Sequence, residues 1–226
     1  MSIPEITEVE QRVLDEWEKK MPGVNKETHL DLIRKRLKST AYHEAGHAIA
    51  RAFFGDEYYH FSNITAIPSS DYMGKVSYER VFRIDSFPLI LRRKTAMRRI
   101  IFLFGGPVAQ SKVDNCEWEL EEAFENSPYD YDSEQQWREV DDIGKSLVLA
   151  EHIVNRAWPP MRTLIMLGKW TKELFEIPVI WQVTASLAAR LINQGEISSF
   201  DEFDKIASTV NFSWVEYPTW KRRFLK

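Results

Sequence analysis

Ser39-Thr40-Ala41-Tyr42-His43-Glu44-Ala45-Gly46-His47-Ala48-Ile49-Ala50-Arg51-Ala52-Phe53-Phe54-Gly55 is the stretch from which fold and chemistry are both read. It is rich in alanine, free of proline, and ends at a glycine, the pattern of a helix with a C-terminal stop. Leu30, Ile33 and Leu37 form an apolar stripe ahead of it, so the helix is expected from about Lys26 to Phe54. Four residues of helix turn through about 400°, which leaves His43 and His47 about 40° apart on one face. Two imidazoles one turn apart can bind one zinc ion. Glu44, about 100° around from His43, stands beside that ion rather than on it. From there a carboxylate can take the proton of a metal-activated water. The match is short, but its flanks support it. Among Ala41, Ala45, Gly46, Ala48, Ile49 and Ala50, two histidines and a glutamate would be buried without evident partners if no metal were held.

A hydrolytic zinc site has three protein ligands and one water. Proteins with His-Glu-x-x-His commonly take the third ligand from a glutamate on a later helix or from a histidine in an extended motif. No Gly-x-x-His continuation follows His47 directly. His60 lies thirteen residues on, His152 stands beside Glu151 at a helix end, and His29 is nearly four turns earlier on the same helix, out of reach. The carboxylates of a helix spanning about 133–156 fit better. Asp142 heads a row with Ser146, Leu149 and Ile153, and a carboxylate at the head of an apolar row faces inward and needs a cation. Glu139 and Asp141 are its rivals, although Asp141 shares a row with Lys145 and so has an ion pair on offer. Spacing alone leaves this choice open.

Outward from the motif, the chain is expected to be mostly α with one small β-hairpin or short sheet. Residues 4–21 form a helix with Val9, Val13 and Trp17 at helical spacing and Pro22-Gly23 as its stop, read as a helical arm over 1–24. Tyr58 to Ile67 and Met73 to Tyr78 are two short strands around the turn material Ser69-Ser70-Asp71. Pro88 opens a long helix interrupted at Gly105-Gly106-Pro107. Residues 114–136 are acidic, without lysine or arginine, and read as a surface insertion with at most one short helix. Trp137, Val140, Leu147, Val154 and Trp158 mark a buried stripe on the next helix. Pro159-Pro160 breaks the chain before helices at about 160–175, 178–194 and 200–207. The body of the chain is expected over 25–226.

Composition narrows the function classes. With 226 residues, 44% hydrophobic and 28% charged, the chain can bury its own core. A single cysteine, Cys116, excludes an internal disulfide framework and fits a reducing compartment. A formal charge of −4 argues against a general nucleic-acid binder. Arg92, Arg93, Lys94, Arg98 and Arg99 are the one basic concentration, and they spread over more than one helical face, as a solvated surface would. No stretch approaches about 18 uninterrupted apolar residues. The acidic start MSIPEITEVEQRVLDEWEKK has no apolar signal core, so the expected location is cytoplasmic.

The sequence resembles a known family. TAYHEAGHAIA is similar to the zinc-site helix of the FtsH-type ATP-dependent zinc proteases. NITAIPSSDYMGKVSY resembles the strand pair that follows it, and IIFLFGGPVAQ resembles the family's apolar helix with a Leu-Gly-Gly-Arg-Ala-Ala stretch. EVDDIGKSLVLAEHIV resembles the helix that begins Asn-Asp-Leu and supplies the third ligand. Asp141 falls on the Asn place and Asp142 on the ligand place, so the resemblance implies a zinc site of His43, His47 and Asp142 with Glu44 as general base. It covers roughly residues 36–195, the family's peptidase domain. The family's ATPase module is not matched, and no Gly-x-x-x-x-Gly-Lys-[Ser/Thr] loop is present. Pro107 replaces the family's arginine, and Gln110 falls where a glutamate is usual.

These residues predict a zinc-dependent endopeptidase acting on flexible peptides or exposed protein segments. An extended substrate is expected along the strand edge Met73 to Tyr78, at Gly74, Lys75, Val76 and Ser77. Lacking its own ATPase, the chain would cleave unfolded segments or work with an ATPase in trans, and the resemblance implies a homo-oligomer. The competing reading is a catalytically silent, zinc-binding regulatory or adaptor protein, which would have no need of Glu44. Trp214, Tyr217 and Trp220 either dock a partner or pack the tail.

Overall fold

A 29-residue helix, α2 (Lys26–Phe54), is the element on which the others assemble. The computed structural model describes residues 6–20, 26–54, 59–68, 74–80, 88–120, 142–153 and 160–210. Its other elements are α1 (Glu8–Lys20), β1 (Tyr59–Thr65), β2 (Lys75–Arg80), α3 (Leu89–Asp114), α4 (Asp142–Glu151), α5 (Pro160–Glu176), α6 (Pro178–Gln194), β3 (Glu196–Ile197) and α7 (Phe200–Ala207). The chain is mostly helical with a small three-stranded antiparallel sheet, as its periodicities predict.

Leu30, Ile33, Leu37, Ala41, Ala45, Ala48 and Ile49 give α2 a continuous buried face. Its alanines and Gly46 let α3 come close. A β-carbon on Gly46 would collide with the Gly105 carbonyl and stand 2.7 Å from Ala109 Cβ. One on Gly105 would stand 2.6 Å from the Gly46 carbonyl oxygen. Glycine is therefore required at both positions by close backbone approach. This crossing makes α3 continuous, where the sequence suggests an interruption. Pro107 removes one helical amide, and that loss is outweighed by packing on both sides of it by Phe104, Val108 and Ala109.

α1 opens with a capping box. Thr7 Oγ1 accepts from the Glu10 amide at 3.2 Å, and Glu10 Oε2 accepts from the Thr7 amide at 2.8 Å. Glu10 Oε1 also accepts from Arg34 Nε at 2.6 Å, which ties α1 to α2. Val9, Val13, Leu14 and Trp17 join the same hydrophobic core as α2, α3, α5 and α6. The arm is thus packed on the body through its whole apolar face.

The sheet order is β2-β1-β3. β1 and β2 are the expected hairpin strands, paired from Tyr59↔Arg80 to Thr65↔Lys75 with a bulge between Phe61 and Asn63. β3 was not foreseen, because two residues carry no periodicity. It reaches β1 through Gly195, which ends α6 at φ 79° and whose carbonyl accepts from the Ala66 amide.

Two expectations need correction. The basic concentration on α3 is no solvated face: Arg99 is 9% exposed and Arg92, Arg93, Lys94 and Arg98 are half-buried. On α4 the buried positions are Ile143, Gly144, Ser146 and Ala150, with Leu147 only half-buried. Trp137, Val140, Val154 and Trp158, most of the acidic insertion, and the tail aromatics Trp214, Tyr217 and Trp220 lie outside the described residues. Among the described residues no single helix is long and apolar enough to cross a membrane. α5 and α6 pass that test only as a pair bent by 82°, and both contribute heavily to the core.

Candidate metal centre

α2 and α3 run antiparallel, and two rows with four-residue spacing face each other across the crossing. On α2 the row is His43 and His47. On α3 it is Phe102, Gly106 and Gln110. Side chains four apart lie one above the other on a helix, so each histidine meets one partner. His47 Nδ1 donates to the Phe102 carbonyl at 2.8 Å, and His43 Nδ1 donates to Gln110 Oε1 at 2.8 Å. A backbone carbonyl can only accept, so the proton of neutral His47 is assigned to Nδ1 and its Nε2 carries a lone pair. Gln110 gives His43 the same tautomer.

The two Nε2 atoms then point at each other, 3.0 Å apart. Asp142, the first residue of α4, completes the group. Its Oδ2 lies 3.2 Å from His43 Nε2 and 3.0 Å from His47 Nε2. A helix N-terminus is a favourable place for that carboxylate. Three acceptor atoms thus converge on one point, an arrangement that repels unless a cation stands between them. Ligand atoms of a tetrahedral zinc ion with bonds of about 2.0–2.1 Å lie about 3.3 Å apart, close to this triangle. His43, His47 and Asp142 could therefore hold a metal ion. Gly106 keeps the space open, since a β-carbon there would collide with His47 Nε2 and stand 2.8 Å from His43 Nε2.

The electrostatics agree with a site that wants positive charge. Burial opposes ionisation of Asp142, but the imidazoles of His47 and His43 outweigh it and hold the carboxyl well below the usual range. Burial likewise opposes protonation of His43, yet Asp142 and Glu44 push its pKa up to about 9.

Glu44 is 5% exposed and lies at the side of this group. Burial raises its pKa, against the opposing pull of His43 and His47. Gly74, just before β2, packs on it: a β-carbon there would stand 2.5 Å from Thr40 Cγ2 and 2.8 Å from Glu44 Oε1. The start of β2 is thereby brought beside Glu44. Of the expected edge residues, Lys75 is exposed, and Gly74, Val76 and Ser77 are half-buried. β2 is the outer strand, so among the described residues its second edge has no strand partner.

The rival ligands Glu139 and Asp141 lie outside the described residues, as do the side chains of His29 and His60. Lys145, expected to pair with Asp141, has its Nζ 3.8 Å from Asp142 Oδ1. Gln110, Gly106 and the Phe102 carbonyl were missed by sequence reasoning. Their signal is the spacing 102–106–110, one helical row with a glycine at its centre. Set against known proteins, the chain matches no family model and no curated protein.

Proposed function

We propose that this chain is a zinc-dependent endopeptidase of flexible peptides and exposed protein segments, related to the peptidase domain of the FtsH-type proteases. The observation that carries the reading is the convergence of His43 Nε2, His47 Nε2 and Asp142 Oδ2 with a buried glutamate beside them. A metal group held only for structure has no use for Glu44. A zinc ion bound by the three residues would supply Lewis acidity and an acidified water.

The chain's own residues do the rest. Gln110 and the Phe102 carbonyl hold the two imidazoles in the tautomer that presents Nε2. Glu44 accepts a proton at its carboxylate and delivers it to the leaving amine nitrogen, a task that its buried place beside the group suits. The second edge of β2, which has no strand partner among the described residues, orients an extended peptide by main-chain hydrogen bonds, and Gly74 lets the start of β2 lie close to Glu44.

Metal analysis of the purified protein tests the reading. About one zinc per chain is expected, with loss in His43→Ala and in His47→Ala, because two ligands do not replace three. Full zinc retention in both variants would remove the site.

A further inference from the structure

Asp142 is engaged from two sides. Its Oδ2 faces the histidine pair, while its Oδ1 lies 3.8 Å from Lys145 Nζ, three residues on in α4. The beginning of a helix is a poor place for a cation, because the helix dipole puts its positive end there. α4 nevertheless starts Asp-Ile-Gly-Lys, and this is its one lysine. The Lys145 side chain is 41% exposed, so no buried partner forces it into that position.

A carboxylate on zinc can bind through one oxygen or two. Two would occupy the place that a hydrolytic site keeps for water. We propose that Lys145 is a positioning residue that draws Asp142 Oδ1 to the solvent side and leaves Oδ2 alone aimed at the histidines. The inference rests on the zinc reading above. It assigns Lys145 a purpose that a merely structural ion pair lacks: it fixes how many oxygens the third ligand offers.

The direction of the effect separates these roles. If Lys145 only held the ligand in place, its loss would weaken zinc binding. If it splits the two oxygens, its loss frees the second oxygen and also lifts a repulsion from the dication, so zinc is held at least as tightly.

The test uses the full chain as wild type, Lys145→Met and Lys145→Arg, loaded with zinc or with cobalt(II). Cobalt absorbs strongly in the visible when four-coordinate and weakly when its coordination number rises. Lys145→Met is expected to keep wild-type or tighter zinc affinity in chelator competition and to lose cobalt absorption. Its peptide turnover should fall about 10-fold. Lys145→Arg, which keeps the charge, should restore the spectrum. An unchanged cobalt spectrum in Lys145→Met overturns the proposal whatever turnover does, and so does weakened zinc affinity. If the wild type takes up neither metal, the zinc reading falls and this role with it. Uptake by the wild type with no difference in Lys145→Met removes only the role.

Discussion

Gln110 Oε1 lies 2.8 Å from His43 Nδ1, so a residue on α3 decides which nitrogen of a histidine on α2 is free to bind. The partner of His47 is a backbone carbonyl, which no substitution can delete, whereas the partner of His43 is a side chain. Gln110→Leu keeps bulk and removes the acceptor. It should weaken zinc affinity by about 10- to 100-fold in chelator competition while leaving the helix crossing intact. Wild-type affinity in this variant would mean that His43 is oriented by something else.

The two glycines at the site separate metal from chemistry. Gly106→Ala puts a methyl against both Nε2 atoms, and it should abolish zinc binding and lower stability by about 1–3 kcal/mol. Gly74→Ala crowds Thr40 and Glu44 instead, and it should keep zinc while losing peptide turnover. Zinc content and turnover measured on both variants check the pair. Equal loss of zinc in both would show that Gly74 bears on the metal group itself.

Asp142→Asn keeps the size of the third ligand and removes its charge. Zinc affinity should fall at least about 10-fold, the range seen even for groups one shell further out. Isothermal titration of zinc into wild type and variant measures it. An unchanged constant would direct attention to Glu139 or Asp141.

How far the site was legible follows from which contacts are local. His43, Glu44 and His47 share one helix, so their arrangement is set by spacing alone. Asp142 is ninety-five residues beyond His47, and only its place at the head of an apolar row, together with a family resemblance, singled it out. Gln110 and Gly106 depend on the register of one helix against another, which no periodicity within a helix encodes. The same limit explains β3, where Ile64 pairs with Ile197 across most of the chain. It also explains α3, where the proline argued for a break and tertiary packing of the neighbouring glycines overrode it.

The docking of α1 carries a pH dependence. The Arg34 hydrogen bond to Glu10 holds the Glu10 carboxyl below its ordinary value of 4.5. The folded chain therefore binds that proton more weakly than the unfolded chain does. The stabilisation is complete above the ordinary value and is lost as pH falls through the lower, folded value. Arg34 is about one-third exposed, so the ion pair is partly screened by solvent. Urea unfolding of Glu10→Gln should show a loss of stability at neutral pH and a smaller one near pH 3. An equal difference at both pH values would show that the charge on Glu10 does not matter.

The most direct measurement of the central claim is cleavage of a fluorescently labelled unfolded protein by wild type and Glu44→Gln, each verified at one zinc per chain. Glu44→Gln keeps shape and hydrogen-bonding capacity and removes the base. Cleavage by the wild type and a loss of several orders of magnitude in the zinc-loaded variant are expected, because the proton then has no acceptor. Cleavage by Glu44→Gln at the wild-type rate would contradict the account.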